Sequence, residues 1–158
     1  HPEVKLIIAP HVIDENHLVE IIRKLKRPYV RYTRADEKNV RKADCLIIDC
    51  FGLLSSIYRY GEIAYIGGGF GVGIHNTLEA AVYGIPVIFG PKYQKFQEAI
   101  HLLEAKGGFS IKSYEELKIL LDRMLGDEDF LREAGKNAGA YVTDNAGTTD
   151  KVLGMINF

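Results

Sequence analysis

Short apolar runs alternate with helical stripes along almost the whole chain, and nothing else restricts its fold so tightly. Segments 4–9, 29–32, 45–49, 63–66, 86–89 and 109–111 read as strands. Between them, Leu18, Ile21, Ile22 and Leu25 recur at helical spacing behind a potential N-cap, Asp14. Leu117, Leu120, Leu121 and Met124 do the same behind Ser113-Tyr-Glu-Glu116, which has capping-box spacing. Helices are also expected over 52–60, 77–83, 96–103 and 128–141. Six strands alternating with helices predict an α/β fold, a doubly wound parallel sheet with right-handed crossovers. Ligands of such sheets bind beyond the carboxyl ends of the strands.

Residues 67–79, Gly-Gly-Gly-Phe-Gly-Val-Gly-Ile-His-Asn-Thr-Leu-Glu, stand at such an end. Glycines let backbone N–H groups approach a ligand closely, and a helix N-terminus behind them would favour a phosphate. Glu79, one turn into that helix, could accept hydrogen bonds from a sugar hydroxyl. The opposing reading is a plain flexible turn followed by a solvated carboxylate. No G-x-G-x-x-G register fits 67–73, and no G-x-x-x-x-G-K-[ST] occurs, so neither standard phosphate loop is present. Two further segments, Pro10-His11 and Phe51-Gly52-Leu53, follow earlier strands and converge on the same end of the sheet.

Composition narrows the class. A chain of 158 residues with 47 % hydrophobic and 26 % charged residues can bury a core as one domain. Lys plus Arg number 20 against 21 Asp plus Glu, which argues against nucleic-acid binding through bulk charge. Cys45 and Cys50 fit no C-x-x-C pattern and read as reduced thiols of a cytosolic protein. No run is long enough to span a membrane, and no signal peptide is evident. A first residue His1 suggests a piece of a longer protein.

The order Ala9-Pro10-His11, Phe51-Gly52, Gly67-Gly-Gly…Gly73-Ile-His-Asn-Thr-Leu-Glu-Ala80 and Gly84-Ile-Pro-Val-Ile-Phe-Gly-Pro91 resembles the bacterial Kdo transferases. The resemblance extends over essentially the whole chain, and would make it the C-terminal half of such an enzyme. It implies a Rossmann-like domain of a GT-B glycosyltransferase that moves 3-deoxy-D-manno-octulosonic acid (Kdo) from CMP-Kdo to a lipid A precursor, in lipopolysaccharide biosynthesis. Residues 1–158 would form the donor-binding domain. An N-terminal acceptor domain, carrying the catalytic base and meeting lipid A, would lie outside this chain, so no catalytic residue is expected here and the piece alone should be inactive. Pro10, His11, Phe51, Gly52, Leu53, Asn76, Thr77, Leu78 and Glu79 would contact the nucleotide. Gly73, His75 and Lys92 are further candidates for the phosphate or the donor, with Lys95 beside them. Many members carry Gly-Gly-His-Asn where this chain has Gly73-Ile74-His75-Asn76.

The resemblance further implies an enzyme at the cytoplasmic face of the inner membrane, with this segment itself soluble. No metal cofactor is expected, since no paired carboxylates follow a strand where they could hold a metal diphosphate. Three alternatives stay open at this point. A UDP-sugar transferase or epimerase would present a carboxylate at the same helix. A non-catalytic α/β binding module, such as a receiver-like domain, would need clustered aspartates, where this chain has Pro10-His11 and Asp49-Cys50. His11 and Phe51 could equally be structural, and Lys92 a solvated loop residue. Val152, Leu153, Met155 and Ile156 form an apolar tail, expected to be less protected than the sheet or ordered by a neighbouring chain.

Overall fold

A computed structural model describes residues 1–147, so the apolar tail at 152–156 lies outside the described residues. The chain divides into two compact units, His1–Ile57 and Tyr58–Phe158. All six expected strands form, each three residues long and parallel to its neighbours. They make two three-stranded ladders, one in each unit.

In the first unit β1 (Leu6–Ile8), β2 (Tyr29–Arg31) and β3 (Cys45–Ile47) pair in the order β1-β3-β2. The helix α1 (Glu15–Lys24) begins where the sequence placed it, with the Asp14 carboxylate accepting from the His17 N–H at 3.0 Å. Its stripe packs as the periodicity requires: Leu18 joins Cys45 and Ile47 in the core, with Ile21, Ile22 and Leu25 against them. Two elements had no hydrophobic signature. A 3-10 turn (Tyr32–Arg34) and the one-turn helix α2 (Glu37–Val40) follow β2. The latter is held by a capping box between Asp36 and Asn39. A short helix α3 (Leu54–Ile57) closes the unit.

The second unit orders β4 (Ala64–Ile66), β5 (Val87–Phe89) and β6 (Gly108–Ser110) as β4-β5-β6. Every residue of β5 is buried, because helices cover both faces of the ladder. Val87 and Phe89 point to one cluster, with Ala80 and Ala81 of α4 (Leu78–Ala81) and Ala99 and Leu102 of α5 (Gln97–Glu104). Ile88 points to the other, with Ile111 and with Met124 of α6 (Tyr114–Gly126). The last described helix, α7 (Glu128–Asn145), sends Ala138 to the first cluster and Leu131 to the second. Ser113 caps α6, accepting from the Glu116 N–H at 3.2 Å; the Glu116 side chain reaches the Lys112 N–H, one residue earlier than a capping box would have it. No helix among the described residues is long and apolar enough to cross a membrane.

Candidate functional site

In the first unit the expected segments line one pocket. Ala9, Pro10, His11 and Ile13, after β1, face Ile48, Cys50, Phe51, Gly52 and Leu54, after β3, around about 280 Å³. Pockets for whole ligands run to about 300–1,000 Å³, so this one suits a single ring system rather than a nucleotide. Phe51 is 80 % exposed at the rim, which removes the reading of this aromatic as core. Gly52 follows with φ +87°, a left-handed conformation that turns the chain away from Phe51. Leu53 does not line the pocket; its carbonyl accepts the Ile57 N–H at 2.9 Å as α3 begins, and Leu54 takes the wall position.

Beside the pocket lies a polar network that sequence reasoning missed. Asp49, its side chain 1 % exposed, accepts from the Thr33 N–H (2.9 Å), the Thr33 hydroxyl (2.6 Å) and Arg31 Nε (2.7 Å). Arg31 Nη1 also reaches both oxygens of Glu15, at 2.7 and 3.0 Å. Burial pushes the Asp49 pKa up, but the bonds from Thr33 and Arg31 outweigh it and hold the carboxyl at about 2. The available signal was a charge closing a buried apolar run, which demands partners. These bonds also consume the carboxylate that a receiver-like domain would have to keep accessible.

In the second unit the glycine segment is built by its own packing. Gly68 (φ +88°) accepts the N–H groups of Gly71 (2.8 Å) and Gly73 (3.3 Å), and Gly67 accepts that of His75 (3.2 Å). Three N–H groups expected to face a ligand are therefore turned into the loop. Gly69 lies so near Gly90 that a Cβ would stand 2.6 Å from its nitrogen. Lys92, in the loop after β5, locks the segment, donating from its backbone to Gly69 (3.0 Å) and from Nζ to the Gly71 carbonyl (2.6 Å). That ammonium is a structural latch here.

The helix behind the loop is shorter than the sequence suggested. It spans one turn from Leu78, with His75 and Asn76 ahead of it, so it supplies little dipole. Ile74 is buried in the core cluster, which accounts for an apolar residue in the Gly73-Ile74-His75-Asn76 stretch. The exposed Asn76 accepts the Leu78 N–H at 3.0 Å and donates to Glu79 Oε1 at 3.1 Å. Glu79 lies close enough to Tyr58 that, after burial, its charge further raises the phenol pKa. Thr77 is fully buried, and its hydroxyl has no hydrogen-bond partner among the described residues.

Elsewhere in this unit a hollow of about 460 Å³ runs along β6 and α6, past Phe109, Ile119 and Arg123. No expected site residue lines it. The sequence does hold one Asp-x-Asp, Asp127-Glu128-Asp129. Asp127 caps α7 through the Phe130 N–H (2.9 Å) and Asp129 pairs with Arg132, so neither stands at a strand end.

No protein-family model matches the chain. A 3-deoxy-D-manno-octulosonic acid transferase of Aquifex aeolicus is 35 % identical over 127 residues, 79 % of this chain and 35 % of the relative. The enzyme of the same name from Rickettsia bellii is 34 % identical over 72 % of this chain and 28 % of its own length. The chain therefore spans about a third of the curated relatives it matches. Among solved structures, the C-terminal CMP-Kdo binding domain of WaaA from Acinetobacter baumannii superposes with a TM-score of 0.67. It covers 86 % of this chain and 74 % of that domain at 19 % identity, which establishes a shared fold.

Proposed function

Because the chain is homologous to the 3-deoxy-D-manno-octulosonic acid transferases, we propose that it is the donor-binding domain of such a glycosyltransferase, taking CMP-Kdo. The observation that carries the reading is the 35 % identity to a Kdo transferase over 127 residues, 79 % of this chain, together with a matching fold. Acceptor binding, proposed to be of a lipid A precursor at the inner membrane, and the catalytic base belong to the remainder of the enzyme.

The residues suit that donor. The pocket under Phe51 and beside Pro10 and His11 offers a planar ring an apolar wall. Glu79, held by Asn76, has one carboxylate oxygen beyond that bond and is proposed to accept from the ribose hydroxyls. Departure of CMP leaves negative charge on one phosphate while the sugar acquires oxocarbenium character. Fixed N–H donors stabilise such charge at no cost of reorganisation. An amide carries two N–H donors, and Asn76 uses one for Glu79, so the other is proposed, with His75, for the phosphate. Thr77, Leu78 and Gly73 act by shaping that turn. The transfer is proposed to need no divalent metal.

Calorimetry with CMP, UMP, UDP and CMP-Kdo tests this reading. CMP should bind, weakly, and better than UDP. Equal or tighter binding of UDP would overturn it in favour of an enzyme using a UDP-sugar.

A further inference from the structure

Arg31 lies outside the pocket of the first unit, yet it is bonded to a residue adjoining each of its walls. One wall is the β1–α1 loop, with Pro10, His11 and Ile13; the other is the β3–α3 loop, with Ile48, Cys50, Phe51 and Gly52. Glu15 is the first residue of α1, directly after the first wall, and Asp49 sits between Ile48 and Cys50 in the second. The guanidinium joins them, with Nε on Asp49 and Nη1 on Glu15. We infer that Arg31 is a positioning residue: its two-armed bridge from Glu15 to Asp49 fixes the distance between the pocket walls, and so sets how tightly a planar ring is held between them.

The chemistry of the bridge favours this. A guanidinium presents its donors in a rigid planar fork, so two carboxylates bonded to one fork are fixed relative to each other; an ammonium gives no such constraint. Arg31 is 13 % exposed and Asp49 1 %, so that arm is shielded from solvent. Thr33 anchors Asp49 further with two bonds of its own. The Glu15 arm is different, since that carboxylate is 65 % exposed. An exposed ion pair contributes at most about 1 kcal/mol, so losing Glu15 should release one wall without unfolding the unit.

The two cysteines provide a readout. Cys50 lines the pocket and is half-buried, whereas Cys45 is 1 % exposed in β3, where burial pushes its thiol pKa up. The experiment is maleimide labelling of the chain under native conditions, followed by peptide mapping, for the parent, Glu15→Ala and Arg31→Met. Release of the wall should speed Cys50 labelling by up to about five-fold in Glu15→Ala, the effect of about 1 kcal/mol, and at least as much in Arg31→Met, with Cys45 unlabelled throughout. Cys50 rates equal to the parent in both variants would overturn the bridge, and so would Cys45 labelling that rises in step, which reports general loosening. The role in ligand binding rests on the donor-site reading and is tested with CMP as the probe. Its affinity should fall by a similar factor in Glu15→Ala; an unchanged affinity overturns that role. If the parent itself fails to bind CMP, the donor-site reading fails, while the labelling rates still decide the bridge.

Discussion

Asn76 holds Glu79 through a 3.1 Å bond from its side-chain amide, while its side-chain oxygen caps the Leu78 N–H at 3.0 Å. One exposed residue thus starts the helix and aims the carboxylate. Glu79→Ala should weaken CMP binding by about 1.5–3 kcal/mol, the range for hydrogen bonds to a charged group. Thermal stability should barely move, because the Glu79 side chain is absent from the core clusters. Calorimetry on the folded variant checks both parts, and unchanged affinity would make Glu79 a surface carboxylate.

The close approach of Gly69 to Gly90 predicts that position 69 tolerates no side chain. A methyl at Gly69 would lie 2.6 to 2.9 Å from three backbone atoms of Gly90, none of which can rotate away. Gly69→Ala should cost about 1–3 kcal/mol in urea unfolding, as overpacking does. Gly71→Ala, where the nearest atom is 3.4 Å away and φ is not positive, should cost distinctly less.

Asp49 predicts an acid limit for the first unit. Its folded pKa, about 2, lies below the ordinary 3.8, so the stabilisation is complete above that ordinary value. It is lost as the pH falls through the folded value. Thermal melts between about pH 5 and pH 2 should therefore show declining stability, and Asp49→Asn should flatten that part of the profile. Asp49→Ala should cost about 3 kcal/mol at neutral pH, since it strips the bonds from Thr33 and one arm of Arg31.

Thr77 predicts the opposite sign. Its hydroxyl is buried without a partner among the described residues, which costs about 1–3 kcal/mol, and valine has nearly the same shape. Thr77→Val should raise the midpoint of chemical denaturation by an amount corresponding to about 1 kcal/mol. A fall in stability would show that the hydroxyl is bonded in solution.

The strands and the long helices were legible from the chain because their signals are local. Period, cap and breaker decided them: Asp14 before the stripe Leu18–Ile21–Ile22–Leu25, and Ser113 before Leu117. The family was legible too, since motif order along the chain carries it. The one-turn helices α3 and α4 were expected over 52–60 and 77–83, longer than they are, but α2 was not, because a single turn is too short to show a period. Helix α2 stands on the Asp36–Asn39 box, and α4 begins two residues after the exposed Asn76.

The sequence by itself determined which segments end at the ligand-binding edges of the strands, because strand direction and loop position follow from chain order. Only the tertiary structure decided what their residues do there. It turned the N–H groups of Gly71 and Gly73 inward, committed Lys92 to Gly71 and buried Ile74. It also joined Glu15, Arg31, Thr33 and Asp49, which are up to 34 positions apart in sequence, into one network. A hydrogen bond depends on distance and direction in space, and neither is fixed by residue type or spacing until the chain has packed.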